Sequence, residues 1–451
     1  MFINSFIGVE QLSDEGKSLI YRYLAVFLAN SFFLNLSSTF YILFAIDFGG
    51  FALASIMAAV MLFTQLVFDY PSGSLGDWIG QRWVLALSYL SYSAAYLSLM
   101  AVQSFTGFML VAIFMGFAEA QASGTLQTWL ESNYQKVTSA IDPERKLFGF
   151  TITRIDTLNY LATMISIILG GIIATVISRR MVFFLQVGAL LVLASLTMVL
   201  IKNIKLKEQE NPLVEEKKAL TDYFKYLKGG ISFTFSSRTS FFFIVGMAVF
   251  NVSWYLWGAL ILFPLYFGYT GSDAGAALFR TTSFAITIVI HLFNANISKR
   301  FSNHHYPRFL FLHAFIFYPA YIVLFTLLPV GNTFNLLGIL LVLFIMNLTV
   351  AFILNLGVIL QRRIMIDLIP SENRNAVYSL IPTIVALIGI PILPFAGNLI
   401  DSHGLIAGIV ICFILYTAGS LSMTYAVRYR AKKEVTGEVQ VTGEETGIIA
   451  G

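Results

Sequence analysis

Very few side chains of this chain could do acid–base chemistry away from its loops. Four ionisable residues, Glu119, Arg154, Asp156 and Arg280, lie inside long apolar runs. Charged groups are costly there, so each is a candidate functional residue. Glu119, Arg154 and Asp156 could meet across neighbouring helices, where an acid can alternate between a protonated form and an ion pair. Glu119 or Asp156 could therefore carry a proton, and a static buried ion pair is the alternative.

Arg280 stands apart, about two turns after Asp273. A cation at this depth could attract an anionic group of a bound molecule. His313 also lies in an apolar run, although a lone histidine is more often a satisfied core residue than a proton carrier. The chain has one cysteine, Cys412, and its five histidines show no zinc-binding spacing. We therefore expect no metal site and no cofactor.

The composition identifies the solvent around these residues. Of the 451 residues, 57% are hydrophobic and 12% charged, and the mean hydropathy is +0.79. Soluble domains carry about 25% charged residues. The remaining polar surface is too small to solvate a globule, so lipid must surround much of the chain.

The apolar runs have the length of membrane-spanning helices, which need about 20 residues. They are apolar on both faces, whereas β-barrel strands alternate over about 10 residues. The sequence therefore predicts an all-α membrane protein with twelve transmembrane helices in two six-helix bundles. The predicted spans are Leu19–Ile46, Phe51–Phe68, Trp83–Ala101, Phe105–Leu130, Leu147–Ile177, Met181–Ile201, Thr239–Phe267, Ala274–Ile297, Phe309–Val330, Phe334–Leu360, Ala376–Leu399 and Leu405–Val427.

One long polar stretch divides the spans into six and six. The predicted organisation is an N-terminal bundle over 1–201, a lysine-rich cytoplasmic linker over 202–238, a C-terminal bundle over 239–427 and a disordered cytoplasmic tail over 428–451. With both termini in the cytoplasm, only Arg179, Arg180 and Arg280 of the 28 Lys and Arg residues fall away from the cytoplasmic side. The positive-inside rule therefore favours a multi-pass protein of the cell membrane with both termini cytoplasmic.

The loop between spans two and three carries a motif. It reads DYPSGSLGDWIGQRW and contains Asp69, Gly73, Asp77, Gly80 and Arg82 in order. The spacing resembles the signature of the Major Facilitator Superfamily. The Asp-x-Pro-Ser-Gly start is similar to the acid-x-Pro-Thr-Gly variant of efflux members, and so are Ser123 to Leu126 and Trp129-Leu130 in span four.

The resemblance implies a conformational latch. In the family, the loop acid docks against the positive N-terminus of helix eleven in one state and releases it in the other. Here the acid is Asp77, Ser371 is a candidate N-cap of helix eleven, and Arg82 and Arg374 are candidate partners. The alternative is that Asp77 only fixes a loop.

A faint internal repeat relates GGIIATVISRRM near Gly170 to GNLIDSHGL near Gly397.

The fold that the resemblance implies has a cavity between its halves at mid-membrane. Aromatic and amide side chains in spans one, seven and ten suit a bulky, partly apolar ligand. The candidates for the cavity lining are Asn30, Asn35, Asn251, Trp254, Trp257, Asn347 and Asn355.

The sequence therefore favours a secondary transporter over an enzyme. The main hypothesis is proton-coupled export of small amphipathic molecules by alternating access, in a monomer that binds no nucleic acid. The alternative is proton-coupled uptake of a nutrient such as a sugar, small peptide or organic acid, because span five, ATMISIILGGIIAT, lacks the proline–glycine signature of many antiporters. No Walker loop or pore-filter repeat is present, which argues against an ATP-driven pump and a channel.

Overall fold

The computed structural model describes residues 2–138, 141–142, 146–202, 228–329, 336–369 and 371–435. Every regular element in these ranges is helical. In the N-terminal half the helices are α1 (Phe2–Ile7), α2 (Asp14–Asn35), α3 (Tyr41–Ile79), α4 (Gln81–Ala101), α5 (Phe105–Ala122), α6 (Thr125–Thr138), α7 (Lys146–Val176) and α8 (Arg179–Leu200).

The C-terminal half begins with a short helix before its first long one. Ser272 is the N-cap of the helix that begins at Asp273 and carries Arg280. The helices are α9 (228–236), α10 (Arg238–Leu256), α11 (Leu262–Thr270), α12 (Asp273–Ile297), α13 (Tyr306–Leu327), α14 (Leu336–Ile345), α15 (Asn355–Leu368), α16 (Ser371–His403) and α17 (Leu405–Val435).

These helices form the twelve predicted spans. Eleven helices within the described ranges are long and apolar enough to cross a membrane. The remaining span is the first, which α2 begins and which continues after a turn into α3. Gly49 and Gly50 have non-helical backbone angles inside α3, with φ of +71° at Gly50. The first span ends at this break and the second begins at Phe51.

Three further spans contain irregular backbone. The fourth breaks at Ser123 and Gly124, where Gly124 adopts φ of +67° between α5 and α6. The seventh and tenth contain π-helical segments, Trp257–Ile261 and Met346–Leu354. π-Helical segments are frequent at functional sites, because they interrupt the regular hydrogen bonding of a helix.

The helices pack as two bundles. In the first, α3 packs on α5 and α4 on α8, and in the second α10 packs on α17. Contact between the bundles is made mainly by two helix pairs, α3 with α16 and α7 with α12. Residues 203–227 of the predicted linker and 436–451 of the predicted tail lie outside the described residues.

Candidate functional site: a cavity closed at one end

We call the end of the molecule that holds α1 and the start of α7 the terminal end. The opposite end, which holds the connection between α7 and α8, is the distal end. The two bundles meet at the distal end through hydrogen bonds, ion pairs and close helix contacts, described in turn below.

The carboxylate of Asp401, near the end of α16, caps a helix of the other bundle. Its oxygens accept hydrogen bonds from the backbone amides of Phe51 at 2.8 Å and Ala52 at 2.7 Å. These are the first amides of the second span, which have no partner within their own helix. A Cβ added to Gly50 would lie 2.8 Å from both carboxylate oxygens. Glycine at position 50 therefore allows both the turn and the close approach of Asp401.

The second helix pair repeats this arrangement. The hydroxyl of Thr175, near the end of α7, accepts a hydrogen bond from the Ala274 amide at 2.8 Å, at the start of α12. Thr175 lies four residues after Gly171, as Asp401 lies four residues after Gly397. The faint repeat in the sequence therefore corresponds to two symmetry-related contacts between the bundles.

Glycines bring both helix pairs into close contact. A Cβ on Gly171 would lie 2.4 Å from the Ala277 Cβ and 2.7 Å from the Asp273 carbonyl oxygen. A Cβ on Gly397 would lie 2.0 Å from the Ser55 hydroxyl oxygen. Distances below 3.0 Å are not tolerated by real Cβ atoms, so these contacts require glycine.

An ion-pair network completes the distal closure. Arg179, at the start of α8, pairs with Asp273 of the other bundle through two hydrogen bonds of 2.8 and 2.9 Å. Its guanidinium also pairs with Asp47, at the end of the first span. The Asp273 side chain is 8% exposed and that of Arg179 14%, whereas that of Asp47 is 65% exposed. Arg179 therefore joins a shielded acid across the bundle interface to an exposed acid of its own bundle.

Glu119 lies inside the molecule below this closure. It occupies the last turn of α5, and the Ser123 amide at the helix break bonds to its backbone carbonyl at 2.9 Å. Its side chain is solvent-accessible although it lies about four turns from the distal end of the span. This accessible carboxyl therefore lies on the terminal side of the contacts that close the distal end.

Phenol groups surround Glu119. Tyr92 of α4 hydrogen-bonds to its carboxylate. Tyr41, Tyr96 and Tyr255 lie close enough for electrostatic interaction with it. Tyr255 belongs to α10, so both bundles contribute to this site. Tyr92 and Tyr96 were not among the candidates from sequence, because nothing in the pattern distinguishes them from the other tyrosines.

Asp156 lies in a second pocket, which belongs to the N-terminal bundle alone. This pocket has a volume of about 270 Å³ and includes Asp156, Asn30 and Gln127. The remaining lining is apolar or aromatic and includes the rings of Tyr23 and Tyr89. The pocket therefore combines one carboxyl group with amides and aromatic faces, and places Asn30 beside Asp156.

Arg154 does not join the two acids. Its guanidinium lies over the rings of Phe6 and Phe150, 5.2 and 5.1 Å from their centroids. Within the described ranges, no ion pair includes Glu119 or Asp156. The expected meeting of the three charges is thus absent from this conformation, because Arg154 and Asp156 are two residues apart in α7 and point about 200° apart around its axis.

Arg280 faces the interior of the C-terminal bundle. Its guanidinium lies over the Phe284 ring at 4.1 Å and next to the Tyr266 hydroxyl. His313 is fully buried and stacks on Phe317 and Tyr416, but neither of its ring nitrogens has a hydrogen-bond partner among the described residues, so it is not the satisfied core residue that was expected.

The latch residues are described only in part. Asp69 hydrogen-bonds to Ser123, so the motif contacts the break in the fourth span. Gly80 has φ of +93° and separates α3 from α4, and Arg82 lies over Trp83. The placement of Gly73 and of the Asp77, Ser371 and Arg374 side chains falls outside the described part of the chain, so the latch stays a prediction.

The remaining cavity candidates divide into two groups. Asn35, Asn347 and Asn355 donate to carbonyls of their own helices, four residues earlier. Trp254 and Trp257 pack on Phe317 inside the C-terminal bundle, while Asn251 is half-buried in α10.

Comparison with known proteins identifies the family. The family model described as Major Facilitator Superfamily matches residues 23–390, so the chain belongs to this superfamily of transporters. It is a multi-pass membrane protein with the fold of that family, as the sequence predicted. No curated protein sequence matches the chain.

Solved structures of transporters share the fold at low sequence identity. The nucleoside transporter NupG is 12% identical with a TM-score of 0.64, over 93% of this chain and 99% of NupG. A bacterial homologue of the human lysosomal transporter Spinster, inward-facing and unoccupied, is 14% identical with a TM-score of 0.60, over 93% and 95%. The POT family transporter PepTSo is 11% identical with a TM-score of 0.63, over 92% and 98%.

Proposed function

We propose that this protein exports small amphipathic molecules in exchange for protons, by alternating access between its two bundles. We place it in the cell membrane as a monomer with both termini in the cytoplasm. The observation that carries the proposal is the position of Glu119, an accessible carboxyl group inside the membrane-spanning part and surrounded by phenols from both bundles.

Glu119 has the chemistry of a coupling residue. A proton that reaches its carboxylate competes with the hydrogen bond from Tyr92. Because Tyr255 comes from the other bundle, a change at Glu119 alters contacts across the interface between the bundles. Protonation and bundle movement are therefore linked at one residue, which is what coupled transport requires.

We infer the direction of transport from the proposed orientation together with the chemistry of the Asp156 pocket. With cytoplasmic termini, the cavity opens to the cytoplasm and the distal closure lies on the outer side. Substrate would enter from the cytoplasm, and opening of the Arg179 and Asp401 contacts would release it outside. The pocket around Asp156, with its aromatic rings and amides, suits molecules that carry both apolar and polar groups. This chemistry is binding and release, so the protein acts as a transporter rather than an enzyme.

Proton movement in proteoliposomes tests the proposal. Wild type, Glu119→Gln, Asp156→Asn and the control Glu10→Gln, which changes an exposed acid of the terminal end, are challenged with lipophilic cations and neutral drugs. Substrate-dependent proton movement opposite to substrate flux, lost in Glu119→Gln and kept in Glu10→Gln, supports exchange. Proton and substrate movement in the same direction would instead favour nutrient uptake. Full activity of both Glu119→Gln and Asp156→Asn would overturn the assignment of the coupling residue.

A further inference from the structure

A groove of about 660 Å³ runs along the outer surface of the N-terminal bundle between α4 and α8. Ala86 and Ala194, each 6% exposed, form its floor, and the more exposed Trp83, Leu90 and Leu191 form its walls. The lining residues on each helix recur at spacings of three and four, so one face of each helix contributes. The volume lies in the range of about 300–1,000 Å³ that ligand sites have.

The apolar lining of this groove suits a hydrocarbon chain of a ligand. Its one hydroxyl-bearing lining residue is Ser195, and that hydroxyl donates to the Leu191 carbonyl at 3.0 Å. Apart from the indole N–H of Trp83, the lining offers no side-chain hydrogen-bond donor to a ligand. Both helices have the length and hydropathy of membrane spans, so the groove opens towards the acyl chains of the bilayer.

One end of the groove is positively charged. The guanidinium of Arg82 lies 5.7 Å from the centroid of the Trp83 ring, at the terminal end. Exposed Lys202 follows the end of α8, four residues after Met198 of the lining. Tryptophan is enriched where membrane meets water, so the two cations lie at the level of lipid head groups. The opposite end, at Leu90 and Leu191, is apolar.

We propose that this groove is a binding site for an anionic phospholipid of the surrounding bilayer. An acyl chain lies over Ala86 and Ala194, and the phosphate lies between Arg82 and Lys202. The occupant is a lipid and not a neutral apolar molecule, because the cations at one end select a negative head group. Each cation near an anionic head group favours it by about fivefold.

Native mass spectrometry of the purified full-length protein in detergent tests the site. The probes are phosphatidylglycerol and phosphatidylcholine with identical acyl chains. We expect phosphatidylglycerol to bind about 25-fold more tightly to one site per chain, about fivefold for each of the two cations. The double variant Arg82→Gln with Lys202→Gln should remove this preference, and Ala86→Leu with Ala194→Leu should prevent binding of either lipid. The control is Arg180→Gln, a cation at the other end of α8.

Three results of this experiment would count against the proposed lipid site. Equal binding of the two lipids by wild type would overturn the proposal, and so would unchanged binding in the charge variant. Loss of the preference in Arg180→Gln would show general attraction to basic protein and also count against the site. If the alanine variant does not fold, the charge variant still decides, because neither Arg82 nor Lys202 is buried.

Discussion

Asp401 and Phe51 are 350 residues apart in the chain, yet the Asp401 carboxylate accepts a hydrogen bond from the Phe51 amide at 2.8 Å. The acid at the end of α16 thereby caps the second span at its N-terminus. The predicted latch at the terminal end uses the same two spans in the reverse sense, with Asp77 after the second span and the N-terminus of α16. If that latch forms in the opposite state, one helix pair closes each end of the transporter in turn.

Replacing Asp401 should weaken the distal closure. Asp401→Asn keeps the shape but loses the charge, and a carboxylate at a helix N-terminus contributes about 0.3–1 kcal/mol. We expect the population open at the distal end to rise about two- to fivefold. Spin labels on Ile177→Cys and Leu327→Cys, both exposed near the distal end, report the distance between bundles.

Ser402→Ala is the matched control for this measurement. Its side chain is exposed, and its hydroxyl donates to the Asn398 carbonyl of its own helix at 2.8 Å. The native Cys412 is buried and does not take the label. Identical distance distributions for Asp401→Asn and wild type would show that the cap does not contribute to closure.

Arg179→Gln should have a larger effect than Asp401→Asn. The change leaves Asp273, which is shielded from water, without its partner, and hydrogen bonds to charged groups contribute about 1.5–3 kcal/mol. We expect the distal-open population to rise more than tenfold in the same distance measurement. The neighbouring Arg180→Gln, an exposed arginine, is the control.

A second substitution tests whether the unpaired charge of Asp273 causes the opening. Asp273→Asn added to Arg179→Gln removes the unpaired charge and should restore part of the closed population. A double variant as open as the single one would mean that Arg179 acts through packing on Phe267, 5.3 Å away, rather than through Asp273.

Alanine substitutions at the adjacent Gly170 and Gly171 should have different effects, one on stability and one on opening of the distal end. A Cβ on Gly170 would lie 1.7 Å from the Leu36 carbonyl oxygen of its own bundle, whereas one on Gly171 would contact α12 of the other bundle. Gly170→Ala should therefore lower the thermal unfolding midpoint, because overpacking costs about 1–3 kcal/mol. Gly171→Ala should mainly open the distal end, since separation of the bundles relieves the clash.

Gly188→Ala is the reference for both glycines, because no atom lies within 4 Å of its added Cβ. Unfolding midpoints and label distances are measured on all three variants. Equal loss of stability in Gly170→Ala and Gly171→Ala would contradict the assignment of the second contact to the interface that opens.

Tyr92→Phe tests the environment of Glu119. The variant loses the hydrogen bond to the carboxylate but keeps the ring, so the protein should fold normally. We expect substrate-dependent proton flux in proteoliposomes to fall roughly tenfold, in line with about 1.5 kcal/mol for a hydrogen bond to a charged group. Tyr160→Phe, at an exposed ring on α7, should leave the flux unchanged. Equal flux in the two variants would remove Tyr92 from the mechanism.

Much of the architecture could be predicted because each span is a local property of the chain. Twenty apolar residues cross a bilayer wherever they occur, and the break at Gly49–Gly50 falls between the predicted first and second spans. The second span was predicted to end at Phe68, whereas α3 continues as a helix to Ile79 and ends at Gly80. Glu119 could also be selected from sequence, since a carboxyl group in an apolar run is rare. Tyr92 could not, because the chain has 21 tyrosines and only packing selects the one beside Glu119.

The sequence by itself determined that the chain crosses a membrane as twelve helices and that very few charges lie inside. The tertiary structure decided which charges meet. Arg154 turned towards Phe6 instead of Glu119, while Arg179 and Asp401, which lie between predicted spans, became contacts between the bundles. Hydropathy depends only on consecutive residues, so membrane spans can be predicted from the sequence. A gate depends on atoms hundreds of residues apart, and only the packing of two bundles brings them within hydrogen-bonding distance.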